Sequence, residues 1–410
     1  MAIVKPFRGY LPSPDEAKEV SSPPYDVISS KEARAVYDSN KKSFLRIIKP
    51  EIEFEGSTNP SANIIHSYAK KNLDDFIKQG ILSRENVACF YLYQICMGQH
   101  VQSGIISKVS IKEYDTGLIK KHEHTRPEKE NDRSKHIEVT NANTGPVFLT
   151  YKNDGGFQSL IENALKNDPY IDFEAEDGSI HRIWKLKSNF LIRAIKNYFD
   201  SIRELYIADG HHRAASASRV KKIKKELNPN HSGQESYNFF LAVIFPHDQM
   251  QILSYNRILK VDQFDKHNLI KFISKKFKVS KLDRAKFPSS KNMVSMFFDN
   301  SWYCLQIKET IVFDDFVSAL DASILQDFLL QPFFKVEDPR TSERLEFIGG
   351  IKSVKEIENR CLNHKMIAFL LYPVKIKDLF EVADAGKVMP PKSTWFEPKL
   401  RSGLVVRIFD

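Results

Sequence analysis

The chain has 410 residues, a hydrophobic fraction of 42% and a formal net charge of +9. This length and apolar content predict two or three folded units and exclude a disordered chain. The basic residues are spread along the sequence without a Lys/Arg block. The charge therefore indicates a soluble surface or an anionic small substrate, and not a nucleic acid or a membrane.

Targeting and metal signals are weak. The four cysteines, Cys89, Cys96, Cys304 and Cys361, form no Cys-x-x-Cys pair, which disfavours a structural zinc site. The first residues lack the apolar core of a signal peptide, and no apolar run approaches the roughly 18 residues of a membrane span. A cytoplasmic protein without a membrane partner is expected.

The predicted elements alternate between helices and strands. Helical periodicity covers 31–38 and 62–78, and 87–97 with 101–114 predicts a β-hairpin around Gly98. Further along come a strand at 147–151, a helix from 156, a strand near 183–186 with a helix after it, a strand at 205–208, a helix from 213, and strands at 237–246 and 251–260. Helices and strands continue to alternate over 262–380. The pattern predicts a mixed α/β fold.

The segment from Ala208 to Arg213 reads Ala-Asp-Gly-His-His-Arg and joins an apolar strand to a helix. A glycine turn before a helix directs backbone N–H groups at one point, where the helix dipole favours an anion. His211, His212 and Arg213 add donors and charge that suit phosphate. Asp209 fits either a magnesium ligand or a base, and the structural alternative is a helix cap with surface histidines.

The charged segment 122–143 is a second candidate. Arg126 and Arg133 suit phosphate contacts, and Glu123 is a further acid. If 122–124 is a strand, His122 and His124 share one side, which leaves a metal pair open. A solvated loop is the structural alternative.

The segment 389–399 is too rich in proline for a helix and too apolar for a loose tail. Lys392, Ser393, Thr394 and Trp395 would close a site there, or the segment would simply pack on the core. Arg257, after a strand pattern, suits a phosphate contact or the surface.

Taken in order, several of these segments resemble a large microbial family long labelled a domain of unknown function. They are Tyr25-Asp26-Val27, His122-Glu123-His124-Thr125 with Asp132-Arg133, Ala208–Arg213, and Asn256-Arg257. The family is related to the ParB/sulfiredoxin superfamily and to archaeal free-serine kinases. The ending Met-Pro-Pro-Lys-Ser-Thr-Trp-Phe-Glu-Pro-Lys is similar to a pyrophosphate-dependent serine kinase branch.

The resemblance implies that L-serine is phosphorylated to O-phospho-L-serine with inorganic pyrophosphate and Mg²⁺, for serine or cysteine metabolism. It implies a ParB/sulfiredoxin-like core with N- and C-terminal additions. Asp209 is the first choice for the acid near the serine hydroxyl, and Glu113 or Glu123 would match the catalytic glutamate of the archaeal relatives. His211, His212, Arg213 and Arg257 would hold the donor, and Lys392, Ser393 and Thr394 the substrate.

Three domains are expected: 1–120, a core at 121–260 with the phosphate site, and 261–410, which includes the site-closing segment 389–399. The alternatives are a serine kinase that uses ADP or ATP, a phosphoserine phosphatase, and a ParB-like nucleotide- or nucleic-acid-binding module. The last is disfavoured because the sequence has neither a helix-turn-helix pattern nor a concentrated basic face. The sequence does not predict the oligomeric state.

Overall fold

The computed structural model describes residues 2–54, 61–261, 265–362 and 365–410. The strands are β1 Val4–Lys5, β2 Tyr10–Leu11, β3 Ser83–Arg84, β4 Phe90–Met97, β5 His100–Ser110, β6 Ile119–Lys120, β7 Ala142–Asn143, β8 Val147–Tyr151, β9 Ile171–Glu174, β10 Ile180–Leu186, β11 Leu205–Asp209, β12 Phe239–Pro246, β13 Gln251–Leu253, β14 Tyr255–Lys260, β15 Phe277–Leu282, β16 Met293–Phe298, β17 Ser301–Ile307, β18 Leu345–Gly349, β19 Met366–Leu371, β20 Trp395–Glu397 and β21 Arg407–Ile408.

The helices are α1 Ala17–Val20, α2 Ser30–Ser39, α3 Leu45–Ile48, α4 Ala62–Lys78, α5 Ile111–Asp115, α6 Pro127–Thr140, α7 Gly156–Leu165, α8 Asn189–Ser201, α9 His211–Glu226, α10 Lys266–Ile273, α11 Asp321–Leu325, α12 Val354–Cys361 and α13 Ile376–Asp384. Short 3₁₀ helices cover Pro14–Glu16, Pro50–Glu53, Ser236–Asn238 and His247–Gln249, and one π-helix covers Gln326–Leu330.

The described residues form two compact units. Unit 1 comprises those within Met1–Lys121, Thr125–Met250 and Pro398–Asp410, and unit 2 those within His122–His124 and Gln251–Glu397. The C-terminal 13 residues therefore belong with the N-terminal half of the chain. The predicted division into 1–120, 121–260 and 261–410 stays a prediction, because units of spatial contact need not be domains that fold independently.

Unit 1 is built on one large mixed sheet. Among the described residues its strands run in the order β6-β11-β8-β12-β5-β4-β10-β9, with β1 paired to β5. β8 is parallel to β12 but antiparallel to β11. The apolar residues of these strands and of α7, α8 and α9 form one core that includes Leu149, Phe157, Ile207 and Val220. A second core packs α2, α3 and α4 around Phe44, Leu73 and Phe76.

Unit 2 is built on an antiparallel sheet in the order β15-β17-β16-β19-β14-β18, with a separate β13-β20 ribbon. One apolar cluster gathers α10, α11 and residues such as Leu259, Met296 and Phe369. A second cluster packs α12 against Ile258, Trp302 and Leu370. Because adjacent residues such as Ile258 and Leu259 fall in different clusters, the sheet carries apolar layers on both faces, as strand alternation requires.

Most of the predicted elements are confirmed. The hairpin is β4 with β5, paired from Met97 with His100 to Tyr91 with Ile106. The helix predicted from 213 is α9, which already begins at His211 because Gly210 provides its N-cap. The mixed α/β class is confirmed as well.

The charged segment is where the sequence prediction was wrong. Residues 122–124 form no strand, and most of the remainder is not a loop but α6, which begins with Pro127 at its first helical position. Its apolar stripe is too short to predict a helix. The buried side of α6 is instead mostly polar, with Ser134, His136, Ile137 and Thr140.

No helix in the described ranges is long and apolar enough to cross a membrane.

Gly104 in β5 tests the packing of the large sheet. A Cβ atom there would lie 2.7 Å from Phe245 Cδ1 and 2.8 Å from the backbone oxygen of Ile244. We therefore expect Gly104→Ala to lower the free energy of unfolding by about 1–3 kcal/mol in urea denaturation. Val101→Ala, at a half-exposed position of the same strand, should cost about 0.5 kcal/mol or less. Equal stabilities of the two variants would contradict the packing described.

Candidate functional site

Asp209 and Gly210 lie where β11 passes into α9. The pairing of β11 with β8 shifts register between Ile207 and Asp209, so a β-bulge precedes the site and redirects the Asp209 side chain. Gly210 has φ +92°, a left-handed conformation that disfavours any side chain. Its added Cβ would also lie 3.4 Å from Val147 Cα. The glycine therefore permits the sharp strand-to-helix turn.

The Asp209 carboxylate is held by two donors. Its Oδ1 accepts the Gly210 backbone N–H at 2.7 Å, and its Oδ2 lies 3.0 Å from Nζ of Lys399. Both partners are only partly exposed, with side-chain exposures of 31% for Asp209 and 16% for Lys399. Asp209 is thus the ion-pair partner of Lys399. It does not cap α9, whose N-cap residue is Gly210 and which has no side-chain cap.

The two histidines point in different directions, as their adjacency requires. His211 is buried, with 6% exposure. His212 Nε2 accepts the backbone N–H of Arg126 at 3.0 Å. Because Arg126 precedes α6, this bond ties the start of α6 to the start of α9, and Ser216 Oγ adds a second tie to the Glu130 carbonyl.

Arg213 extends from the first turn of α9 into the interior of unit 1. Its Nη1 donates to the Pro146 carbonyl at 3.0 Å and its Nη2 lies 3.4 Å from Asp26 Oδ1. Burial lowers the pKa of Arg213, but Asp26, Tyr25 and Asp209 more than offset this and hold it above its usual value. The guanidinium is therefore a permanent positive charge.

Tyr25 lies against two guanidinium groups. The Cζ atom of Arg133 is 4.3 Å from its ring centroid and that of Arg213 is 5.4 Å away, both within cation–π range. Burial, followed by the charge of Asp26, raises the pKa of Tyr25 to about 12. Tyr25 is thus a neutral phenol that positions two cations.

Arg133, on α6, is held by a network of partners. Its Nε and Nη2 donate to Asp132 Oδ2 at 2.9 and 2.6 Å, and its Nη1 donates to the Ile48 carbonyl at 3.2 Å. The other oxygen of Asp132 lies 3.4 Å from Nε2 of the buried His66. Burial raises the pKa of Asp132, but His66 and Arg133 outweigh it and hold that pKa well below its usual range.

A small cavity lies beside this arginine pair. Its volume is about 40 Å³, and its lining includes Tyr25, Arg133, Arg213, Thr144, Gly145 and Ser402. This volume exceeds the roughly 10–15 Å³ that one water needs. Two guanidinium groups and two hydroxyl-bearing side chains suit an oxyanion with several acceptor oxygens, such as a phosphate group.

Buried His136 also lines the cavity. Its Nε2 bonds to the Ile47 carbonyl at 2.8 Å. Burial, followed by repulsion from Arg133, lowers the pKa of His136 to about 3, so it stays neutral and adds no charge to the cavity.

Glu113 is a buried acid in unit 1. It is 5% exposed, lies on α5, which packs on α9, and its Oε2 has no hydrogen-bond partner among the residues that the structure describes. A buried carboxylate oxygen without a partner is costly unless a ligand uses it. Glu113 therefore stays a candidate for the catalytic acid.

Arg257 is not a surface residue. It lies on β14 in unit 2, is 3% exposed, and bonds to the carbonyls of Tyr255 and Pro391, the second at 3.3 Å. Burial lowers its pKa to about 10. Arg257 therefore helps to hold the proline-rich segment in place. Its predicted role as a phosphate contact stays a prediction.

The segment 389–397 is folded within unit 2. Thr394 Oγ1 bonds to His122 Nε2 at 3.2 Å, and Ser393 Oγ donates to the Pro390 carbonyl at 2.7 Å. Trp395, in β20, packs edge-to-face on Tyr255 at 5.1 Å, and Lys392 Nζ lies 5.6 Å from the same ring. The structure therefore brings the predicted substrate residues together, and their role stays a prediction.

Glu123 and His124 lie in unit 2, at a cavity of about 470 Å³ whose lining includes Glu337, Arg340 and Pro391. The proposed sharing of one strand side by His122 and His124 does not occur, because the segment is irregular. His122 is buried and bonds to Thr394, whereas His124 is exposed. A metal held by this histidine pair alone is therefore not supported.

The sequence did not predict three residues at Asp209 or at the cavity of Arg133 and Arg213: Lys399, Thr144 and Ser402. Lys399 was seen only as the end of the proline-rich segment, and Thr144 and Ser402 were not considered. None has a local signal of function, because each acquires a role only through residues distant in the chain. The Tyr25-Asp26 pair did have a signal, since it is part of the family pattern.

These features describe a mixed α/β protein with a small cavity lined by Arg133 and by Arg213, which lies in the first turn of α9. The chain belongs to the family described as "Protein of unknown function (DUF1015)", whose sequence model matches residues 4–323. No curated protein sequence matches the chain.

Several solved structures are similar to the chain. SbnI with a C-terminal truncation, from Staphylococcus aureus, has a TM-score of 0.38 at 12% identity and covers 74% of this chain and 87% of its own. A conserved hypothetical protein from Pyrococcus furiosus has a TM-score of 0.36 at 12% identity, covering 74% and 95%. A free serine kinase variant in complex with ADP has a TM-score of 0.37 at 12% identity, covering 73% and 88%.

The geometry of Arg133 can be tested by anion binding. Arg133→Lys keeps the charge but loses the fork on Asp132 and the planar contact with Tyr25, so we expect phosphate to bind about 10-fold more weakly in calorimetric titration. Arg46→Lys is the matched control, because Arg46 also bonds a carboxylate, Glu53, at 2.7 Å and lies 5.8 Å from an aromatic ring, that of Phe76. Equal phosphate affinity in Arg133→Lys and the wild type would exclude Arg133 from the anion site.

Proposed function

We propose that this protein is a kinase that phosphorylates free L-serine to O-phospho-L-serine, with inorganic pyrophosphate as the phosphoryl donor. The observation that carries the phosphate chemistry is the pair Arg133 and Arg213, which lie against Tyr25 and line the same cavity. Serine and pyrophosphate are supported by the resemblance of the sequence segments to the serine kinase branch.

A binding site for the phosphoryl donor must supply positive charge and groups that donate hydrogen bonds. Pyrophosphate has neither a base nor a ribose, so it can be held by guanidinium groups and helix N–H groups alone. An incoming phosphate oxygen would compete with Asp26 for Arg213. This exchange is favoured because the 3.4 Å pair is long and the Asp26 side chain is 37% exposed. His211, His212 and Arg126 are the further candidates for contacts with pyrophosphate.

The transfer requires an acceptor for one proton. The serine hydroxyl oxygen forms a bond to a phosphorus atom of pyrophosphate, and the bridging P–O bond breaks, with its electron pair leaving on phosphate. The hydroxyl proton passes to a carboxylate. Asp209 is the first choice because it adjoins the start of α9, and Glu113 and Glu123 are the other candidates.

Magnesium fits this site through Asp209, whose carboxylate is the kind of oxygen ligand that Mg²⁺ prefers. When bound, the ion neutralises part of the charge on the phosphate oxygens. Lys399 Nζ lies 3.0 Å from Oδ2 of Asp209, so a metal ion or a serine hydroxyl at that oxygen would have to share it with the ammonium group or displace that group.

A donor assay tests the proposal. Purified protein is incubated with L-serine and Mg²⁺ and with pyrophosphate, ADP or ATP in turn, and phosphoserine is measured. We expect product with pyrophosphate. Product only with ADP or ATP would replace the donor, and no phosphoserine from any of the three would reject the kinase. Phosphate release from phosphoserine without an added acceptor would indicate a phosphatase instead.

Asp209→Asn tests the acid at the turn. The amide keeps the size of the side chain but cannot take a proton, so we expect turnover to fall about 100-fold or more with the melting temperature nearly unchanged. Asp115→Asn is the matched control, because Asp115 also pairs with a lysine, Lys221, at 2.9 Å. Near-normal turnover of Asp209→Asn would move the base to Glu113 or Glu123.

A further inference from the structure

Lys399 forms an ion pair with Asp209, the acid on which the proposed chemistry depends. Its Nζ lies 3.0 Å from Asp209 Oδ2, and the other oxygen of Asp209 accepts the Gly210 N–H. Both carboxylate oxygens are therefore engaged before any substrate arrives. A serine hydroxyl that approaches Oδ2 must therefore share this oxygen with the ammonium group of Lys399.

Lys399 belongs to a part of unit 1 that lies outside residues 4–323, the range matched by the family's sequence model. The backbone around it is fixed. Ser402 forms two backbone hydrogen bonds with Ser22, and the Arg401 side chain bonds to Ser21. The fixed backbone keeps the ammonium group near Asp209, while its flexible four-carbon stem lets the charge change partners.

The surroundings of Asp209 favour such an exchange. Ser402, three residues after Lys399, lines the cavity with Arg213 and Arg133, so the C-terminal segment contributes to both the acid and the cavity. A pyrophosphate dianion or trianion attracts an ammonium group more strongly than a single carboxylate does. Donor binding would therefore draw Lys399 from Asp209 to the phosphate oxygens.

We infer that Lys399 is a further donor-binding residue that also controls access to Asp209. Without a donor it pairs with the carboxylate, and with a donor it contacts a phosphate oxygen and leaves Oδ2 of Asp209 to the serine hydroxyl. The donor therefore binds before the acceptor. This inference rests on the proposed function for the identity of the two substrates.

Calorimetric titration with methylenediphosphonate tests the donor contact, because this pyrophosphate analogue cannot be cleaved. With Mg²⁺ present, we expect Lys399→Met to bind it about 10-fold or more weakly than the wild type, and Lys399→Arg within about threefold. Lys221→Met is the matched control, since Lys221 pairs with Asp115 at 2.9 Å with the same 16% exposure as Lys399. Unchanged or tighter binding by Lys399→Met would overturn the inference.

Serine titration tests the control of access. In the wild type, serine should bind more tightly when methylenediphosphonate is present, and in Lys399→Met this dependence should disappear. Equal serine affinity of the wild type with and without the analogue would overturn the control of access. The two proposals fail separately: absence of phosphoserine with every donor rejects the kinase, whereas normal phosphoserine formation with an analogue affinity independent of Lys399 rejects only this inference.

Discussion

Arg213 carries a permanent positive charge that is largely withdrawn from solvent, with a side-chain exposure of 14%, and several neighbouring groups hold it in place. A buried guanidinium is costly unless its donors are used and its charge is balanced. Pro146 accepts from one nitrogen, Asp26 lies near the other, and the Tyr25 ring supports the group. The bulge in β11 and the left-handed Gly210 put Arg213 in this position, because they set where α9 begins.

The same constraint explains the path of the N-terminal segment and of α6. Tyr25 must reach Arg213, and Arg133 must reach Tyr25, so the proline-rich start of the chain and α6 are held close to α9. Asp132 and His66 then fix Arg133 from the side of α4. Two arginines side by side repel each other. The acids Asp26 and Asp132 reduce this repulsion, and an anion in the cavity would reduce it further.

Unit 2 has its own buried arginine, but it uses the charge differently. Arg257 donates to the backbone carbonyls of Tyr255 and Pro391, so it supports the proline-rich stretch that precedes β20. The His122–Thr394 bond and the Trp395–Tyr255 contact add to this support. Pro390 and Pro391 have no backbone N–H to donate, so side-chain partners help to hold this stretch in one conformation.

The sequence by itself determined the local features. Apolar periodicity predicted the β4–β5 hairpin, α4 and the strand–turn–helix around Gly210, and the residue types of Ala208–Arg213 predicted an anion site. It did not predict α6, because the buried face of that helix is mostly polar. Only the tertiary structure decided that Tyr25 joins Arg133 to Arg213 and that Lys399 reaches Asp209, 190 residues away. Such pairings depend on how segments far apart in the chain pack against each other. The spacing of residues along the chain does not specify which of these segments come into contact.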